Sequence, residues 1–184
     1  YWAAFSVPDL MFYLLVSGAL SVTLIPVISE KLANHNRQSA WEISTSLLNF
    51  LAILTLGASV IIFIFADPLM YIVAPGFGAE QHDLAASLMR IVAINPFLFA
   101  ISSVLASMQQ AVGRFFFNAL APITYNIGII IGIVALSPRL GIVGVALGVA
   151  IGAVMQLLIS LIGMIDLGFE YKEVINWRSR GFRE

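Results

Sequence analysis

The stretch ISTSLLNFLAILTLGASVIIFIFA, residues 43–66, runs for 24 residues without a charged side chain. A bilayer core about 30 Å thick takes roughly 20 apolar residues of helix. The stretch therefore predicts a membrane span, and a helical one, because an open strand leaves its backbone groups unsatisfied in lipid. The same reading, carried outward, predicts four more spans. Residues 3–29 contain a single charge up to that point, Asp9; residues 84–112 carry Arg90 near their start; residues 115–136 carry none; residues 141–167 have Asp166 at their end. The fold class is an all-α polytopic membrane protein, with five transmembrane helices within residues 1–168 and a basic tail or linker over residues 169–184.

Composition excludes most alternatives. Of 184 residues, 60% are hydrophobic and only 10% charged, with a mean hydropathy of +0.99. Soluble domains carry about 25% charged residues, so a water-soluble globular enzyme is ruled out. Nine Lys and Arg against ten Asp and Glu give a net charge of −1, which removes any general attraction to nucleic acid. With no cysteine, disulfides, thiolate metal sites, iron–sulfur clusters and cysteine nucleophiles drop out together. Tyr1 lies inside an apolar stretch with no basic leader before it, so no signal peptide is expected, and the chain reads as a piece of a longer protein.

The connectors set an orientation. Lys31 and Arg37 lie between the first two spans, Arg114 between the third and fourth, and Lys172, Arg178, Arg180 and Arg183 in the tail. Placing these seven in the cytoplasm leaves only Arg139 and Arg90 outside, the solution that the excess of basic residues in cytoplasmic loops favours. The first span then runs from outside to inside, which implies at least one helix before Tyr1 if the protein starts in the cytoplasm. The long second connector holds Asp67, Glu80 and Asp83 and no Lys or Arg. Its apolar residues 68–73, followed by Pro75, Gly76 and Gly78, predict a brief helix at the outer membrane surface.

Polar and small residues inside the spans mark candidate sites. A charge at mid-membrane costs about 2.5–3.5 kcal/mol on insertion scales, so Asp9, two turns into its span, is the most pointed of them. Ser17 and Ser21 follow it, Arg90 can snorkel to the interface, and Asn126 and Gln156 fall at mid-span. Asn95, Gln109, Gln110 and Asn118 read as hydrogen-bonding glue between helices. Gly144, Gly148 and Gly152 recur every four residues on one face of the fifth span, and Gly128 and Gly132 do so in the fourth, a spacing that lets two helix backbones approach closely. Pro8, Pro26, Pro96 and Pro122 each remove a backbone hydrogen bond and can kink a helix.

Catalytic constellations are missing. His35 and His82 fall on opposite sides of the membrane in this topology and share neither a metal nor a proton relay. Glu80, His82 and Asp83 read as a solvated loop cluster. Paired intramembrane carboxylates, nucleophile motifs and phosphate-cradling glycine loops are not found, so a membrane-embedded enzyme is disfavoured and no metal or other cofactor is expected.

The run VPDLMFYLLVSGALSVTLIPVISE (residues 7–30) resembles the signature segment of the MurJ (MviN) lipid II flippase family. Further matches follow in that family's order: APGF (74–77), RIVAINPFLFAISSVLASMQQAVGRF (90–115), LAPITYNIGIIIG (120–132) and GVAIGAVMQLL (148–158). The resemblance implies two six-helix bundles around a central cavity that opens alternately to each side, with this chain supplying helices two to six of the N-terminal bundle. It also implies the activity: moving an undecaprenyl-pyrophosphate-linked peptidoglycan precursor, lipid II, from the inner to the outer leaflet of the bacterial inner (cytoplasmic) membrane.

On that reading Asp9, Ser17 and Ser21 line the cavity, with Arg90, Asn126 and Gln156 as further lining, while Gly18 and Pro26 bend the first helix. The partners implied are the lipid-linked glycan, membrane lipids and cell-wall synthesis proteins, with no nucleic acid. Where the family's signature carries Asn, two basic residues and an acid, this sequence has Asp9, Phe12 with Tyr13, and Ser17. Cationic ligands for the pyrophosphate are then expected elsewhere in the protein, or the headgroup differs. The resemblance also implies the multidrug/oligosaccharidyl-lipid/polysaccharide exporter superfamily, so a polysaccharide-repeat or drug/cation exporter of that superfamily, and a non-transporting scaffold for cell-wall assembly, are the alternatives.

Overall fold

Asn36 starts the longest helix. Its side-chain oxygen accepts a hydrogen bond from the backbone N–H of Ser39 at 3.2 Å, satisfying one of the donors that a helix N-terminus leaves open. From there α3 (Arg37–Ile64) runs for 28 residues, about 42 Å at 1.5 Å per residue, enough to cross a bilayer. The computed structural model describes residues 1–17, 25–34, 36–165 and 167, and every regular element among them is helical. Before α3 come α1 (Trp2–Phe12), continued by a π-helical turn over Tyr13–Ser17, and α2 (Ile25–Ala33). After it come α4 (Ala66–Val73), α5 (Ala79–Val92), α6 (Asn95–Ala111) and α7 (Phe116–Ile131). A second π-helical turn over Gly132–Leu136 leads into α8 (Ser137–Leu140), and α9 (Ile142–Ile162) follows.

Four helical stretches among the described residues are long and apolar enough to cross a membrane: Arg37–Ile64, Ala79–Ala111, Phe116–Leu140 and Ile142–Ile162. The protein is thus a multi-pass, all-α membrane protein. The first expected span is described as the shorter apolar helix Trp2–Val16; its course to residue 29 crosses residues 18–24, outside the described residues, as do His35, Asp166 and the tail. The fourth span carries helix on to Leu140, past the expected end at residue 136. The chain then reverses at Gly141, whose φ of +59° is a left-handed backbone that side-chain-bearing residues rarely adopt.

The span Ala79–Ala111 is broken in the middle. Pro96, in the first turn of α6, has no N–H to donate, and its ring clashes with the carbonyl four residues back. α5 therefore ends at Val92 and α6 restarts at Asn95. The break divides the core in two. α5 gives Leu88, Met89 and Val92 to one buried apolar cluster with Val7, Ile62, Met70 and Val149. α6 gives Val104, Leu105 and Met108 to a second, with Val16, Ile28, Trp41 and Leu51.

Polar residues in the buried stripe of α3 cost little because they serve their own helix. Ser44, Thr45 and Thr55 donate to the carbonyls of Ala40, Trp41 and Leu51 at 2.8, 2.8 and 2.6 Å, the back-bonding open to Ser and Thr one turn on. Between α6 and α9, Gln109 does the joining: it is fully buried and its Nε2 donates to the Ser160 carbonyl at 2.8 Å. Gly163 makes room for it, since a Cβ there would lie 2.6 Å from that amide.

α7 and α9 meet along their glycines. A Cβ added to Gly132 would fall 2.5 Å from Gly148 Cα, and one added to Gly148 would fall 2.5 Å from Gly132 Cα. Gly128 opposes Gly152, and a Cβ on Gly144 would lie 2.6 Å from the Leu136 carbonyl carbon. The two glycine rows thus form one seam, with backbone directly against backbone.

Candidate functional site

The open face of α1 mixes polar and aromatic residues, where the long apolar stretches of α3 and α7 expose mainly aliphatic ones. α3 exposes Ile53, Leu56, Val60, Ile61, Phe63 and Ile64; α7 exposes Ile123, Ile127, Ile130 and Ile131. Such faces suit hydrocarbon. α1 and the start of its π-helical turn expose Trp2, Ser6, Asp9 and Tyr13, at spacings of four, three and four residues, which place all four on one helical stripe, with the exposed Leu10 and Leu14 beside it on the same open side. Trp2 is 84% exposed and Tyr13 65%, so the stripe presents rings rather than burying them. The opposite side of α1 holds Ala4, Val7 and Pro8 against the bundle. Phe12 fixes the rotation of the helix: its ring meets Phe99 of α6 edge-on at 5.8 Å, and Phe99 in turn meets Tyr125 of α7 at 5.4 Å.

The structure places the other expected site residues on separate helices. Arg90, on α5, is ion-paired with Asp67 of α4 and donates a hydrogen bond to its Oδ2. The pair joins α4 to α5 and neutralises Arg90 in the last turn of α5. Asn126, on α7, is exposed, and its amide turns back to its own helix, donating to the Pro122 carbonyl at 2.8 Å. Gln156, on α9, is half-buried, and its backbone carbonyl accepts from Ser160 Oγ at 3.0 Å. Pro26 is exposed in the first turn of α2, where a missing N–H is tolerated. Gly18 and Ser21 lie outside the described residues, as does the side chain of Ser17. Gly144, Gly148 and Gly152 belong to the packing seam.

One expectation is corrected. His82 is not part of a solvated loop cluster: it is 2% exposed, and its ring stacks on Tyr71 of α4 at 3.6 Å with planes 27° apart. Helix begins at Ala79, five residues before the hydropathy boundary at 84, so His82 shares a buried face with Ala85, Ala86 and Met89. Glu80 and Asp83 do remain exposed. The short helix expected over residues 68–73 is present as α4, held to α5 by the Tyr71–His82 stack and the Asp67–Arg90 pair.

Sequence reasoning singled out Asp9 but not Trp2, Ser6 or Tyr13. Their helical spacing was the available signal. It passes unnoticed because aromatic residues in an apolar run read as lipid-facing or core until their exposure is known.

The chain matches a family model described as Lipid II flippase MurJ over residues 1–184. Among curated proteins it is 26% identical over 179 residues to a probable lipid II flippase MurJ of Borreliella burgdorferi, covering 97% of this chain and 35% of the relative. It is 27% identical over 185 residues to one of Buchnera aphidicola from Acyrthosiphon pisum, covering 98% and 36%. It is 26% identical over 156 residues to the lipid II flippase MurJ of Thermosipho africanus, covering 85% and 32%. The chain spans about a third of the length of these relatives. A family model matched from end to end, on a bundle of membrane-crossing helices, means that this chain belongs to the lipid II flippase MurJ family.

Proposed function

We propose that this chain is part of a flippase that carries lipid II across the bacterial inner membrane by alternating access, from the inner to the outer leaflet. Its substrate is the undecaprenyl-pyrophosphate-linked precursor, and the open face of α1 forms one wall of the polar path along which the headgroup travels while the prenyl tail stays in lipid. The observation that carries this reading is the match to the family along the whole chain. The exposed Asp9 stripe supports it, because a carboxylate on an otherwise apolar helix is costly unless it faces water or a polar ligand. The physical task is differential solvation: the headgroup needs a polar surface throughout, and the protein must offer it to one side at a time.

The test is transport of labelled lipid II by the full-length protein in proteoliposomes. Saturable movement across the bilayer is expected. A folded protein that moves no lipid II overturns the reading, and movement of another lipid-linked glycan in the same assay would reassign the substrate.

A further inference from the structure

We propose that the Trp2–Ser6–Asp9–Tyr13 stripe is a carbohydrate-recognition wall: it takes the uncharged sugar portion of the lipid-linked headgroup and not its pyrophosphate. The proposal rests on the flippase reading above and assigns a part of the substrate to a part of the protein.

Charge decides against the pyrophosphate. Among the described residues, Lys31, Arg37, Arg114 and Arg139 stand at helix ends or in turns, and Arg90 is committed to Asp67. The stripe itself carries an acid and no base. A pyrophosphate beside Asp9 would meet like charge, with no cation of the stripe itself to offset it, which raises the energy of both groups, so cations that hold the pyrophosphate belong on another wall.

A sugar suits the same surface. Its hydroxyls are donors, and a carboxylate is an acceptor with two oxygens and about four lone-pair sites. Hydrogen bonds to an ionised acceptor are roughly twice as strong as neutral ones. The apolar C–H face of a pyranose packs on an aromatic ring, and Trp2 and Tyr13 present such rings on either side of Asp9, exposed and preset by the helix. Ser6, one turn from Trp2, adds a hydroxyl; its Oγ donates weakly to the Trp2 carbonyl at 3.4 Å, leaving its lone pairs to accept. From Trp2 to Tyr13 the stripe extends about 16 Å along the helix. An acceptor flanked by two rings is chemistry for a polyhydroxylated, neutral ligand.

The test uses the full-length protein in proteoliposomes with two lipids, lipid II and undecaprenyl pyrophosphate bearing no sugar, and reads binding of each alongside transport. Wild type is expected to bind lipid II more tightly than the sugar-free lipid. Asp9→Ala should weaken lipid II binding about tenfold, the loss expected for charge-assisted hydrogen bonds, and leave the sugar-free lipid within about twofold. Asp9→Asn, which keeps an acceptor, should stay within about threefold of wild type. Trp2→Ala and Tyr13→Ala should each lose about fivefold on lipid II alone, while Tyr13→Phe, which keeps the ring, should match wild type.

Equal losses on both lipids, or an Asp9→Asn variant as impaired as Asp9→Ala, would overturn the proposal; the latter would make Asp9 a group that works by its charge. Should Asp9→Ala fail to fold, the Asp9→Asn and Tyr13 variants decide alone. Wild-type protein that neither binds nor moves lipid II overturns the flippase reading and this assignment with it, whereas transport with sugar-independent losses overturns only the assignment.

Discussion

Replacing Gly148 with alanine adds one methyl group where the backbone of the neighbouring helix already sits. The new carbon would lie 2.5 Å from Gly132 Cα and 3.0 Å from the Gly128 carbonyl oxygen. Carbon atoms rest about 3.5–4.0 Å apart at their dispersion optimum, so the two helix axes must separate by about 1 Å or more, and neither contacting atom belongs to a side chain that can swing aside. Separation loosens the Gly128–Gly152 approach as well, since both pairs lie along one seam. Overpacking of this kind costs about 1–3 kcal/mol. Alanine also gains about 0.5–1 kcal/mol over glycine as a helix former, and the control for that term is Gly57→Ala on α3, where an added Cβ meets nothing within 4 Å. In the full-length protein in detergent, Gly57→Ala should unfold at or slightly above the wild-type temperature and Gly148→Ala clearly below it. The gap between the two variants should be about 1–3 kcal/mol, the overpacking cost alone, because the propensity gain is common to both. A Gly148→Ala protein as stable as Gly57→Ala would mean that the helices are not in backbone contact at the seam.

Two further outcomes test the contacts that hold α4 to α5. The Arg90–Asp67 pair has side chains 33% and 50% exposed, so its coupling in a double-mutant cycle should be about 0.5–1 kcal/mol, with the exchange Arg90→Asp plus Asp67→Arg recovering most of what either single change loses; no coupling would mean that the pair is not formed in solution. His82→Phe keeps the stacking ring on Tyr71 and removes the buried Nε2, which has no hydrogen-bond partner among the described residues, so it should be neutral or stabilising. His82→Ala should cost about 2–4 kcal/mol through the cavity it leaves, and equal behaviour of the two variants in thermal unfolding would refute the buried stack.

What was legible in the sequence follows from which forces act locally. Hydropathy places the spans, because each must match the same thickness of hydrocarbon, and Pro96 announces the break in Ala79–Ala111 through a bond it cannot make. The glycine spacing reveals a close-packing face on each of two spans; that these two faces meet is set by the reversal at Gly141. Hydropathy misses helix ends, however, since a helix continues while backbone hydrogen bonds can propagate, whatever the polarity outside. This is why α5 begins at Ala79 and carries His82 into the interior. Arg90 and Asp67 are 23 residues apart, and nothing in either neighbourhood points to the other; the turn between α4 and α5 alone brings them together. The α1 stripe fell between the two cases: its period was visible, but which side of α1 lies open depends on how Phe12 docks against Phe99.

That last point separates two environments for Asp9 and gives them different energies. If the open side of α1 faced hydrocarbon, Asp9→Leu would relieve the insertion cost of a charge and stabilise the protein by about 2.5–3.5 kcal/mol. If it faces water in a transport path, as proposed, the carboxylate keeps most of its solvation and the same change should move stability by about 1 kcal/mol or less. The expected result is therefore a variant of near-wild-type unfolding temperature that has lost lipid II transport. A large stabilisation would place α1 against lipid and remove Asp9 from the path. The measurement needs no substrate, so it tests the orientation of α1 independently of what the protein carries. It also explains why an acid persists on a helix whose remaining residues satisfy the membrane: a side chain that hydrocarbon would penalise costs little where water reaches it, and there its two oxygens are available to a ligand.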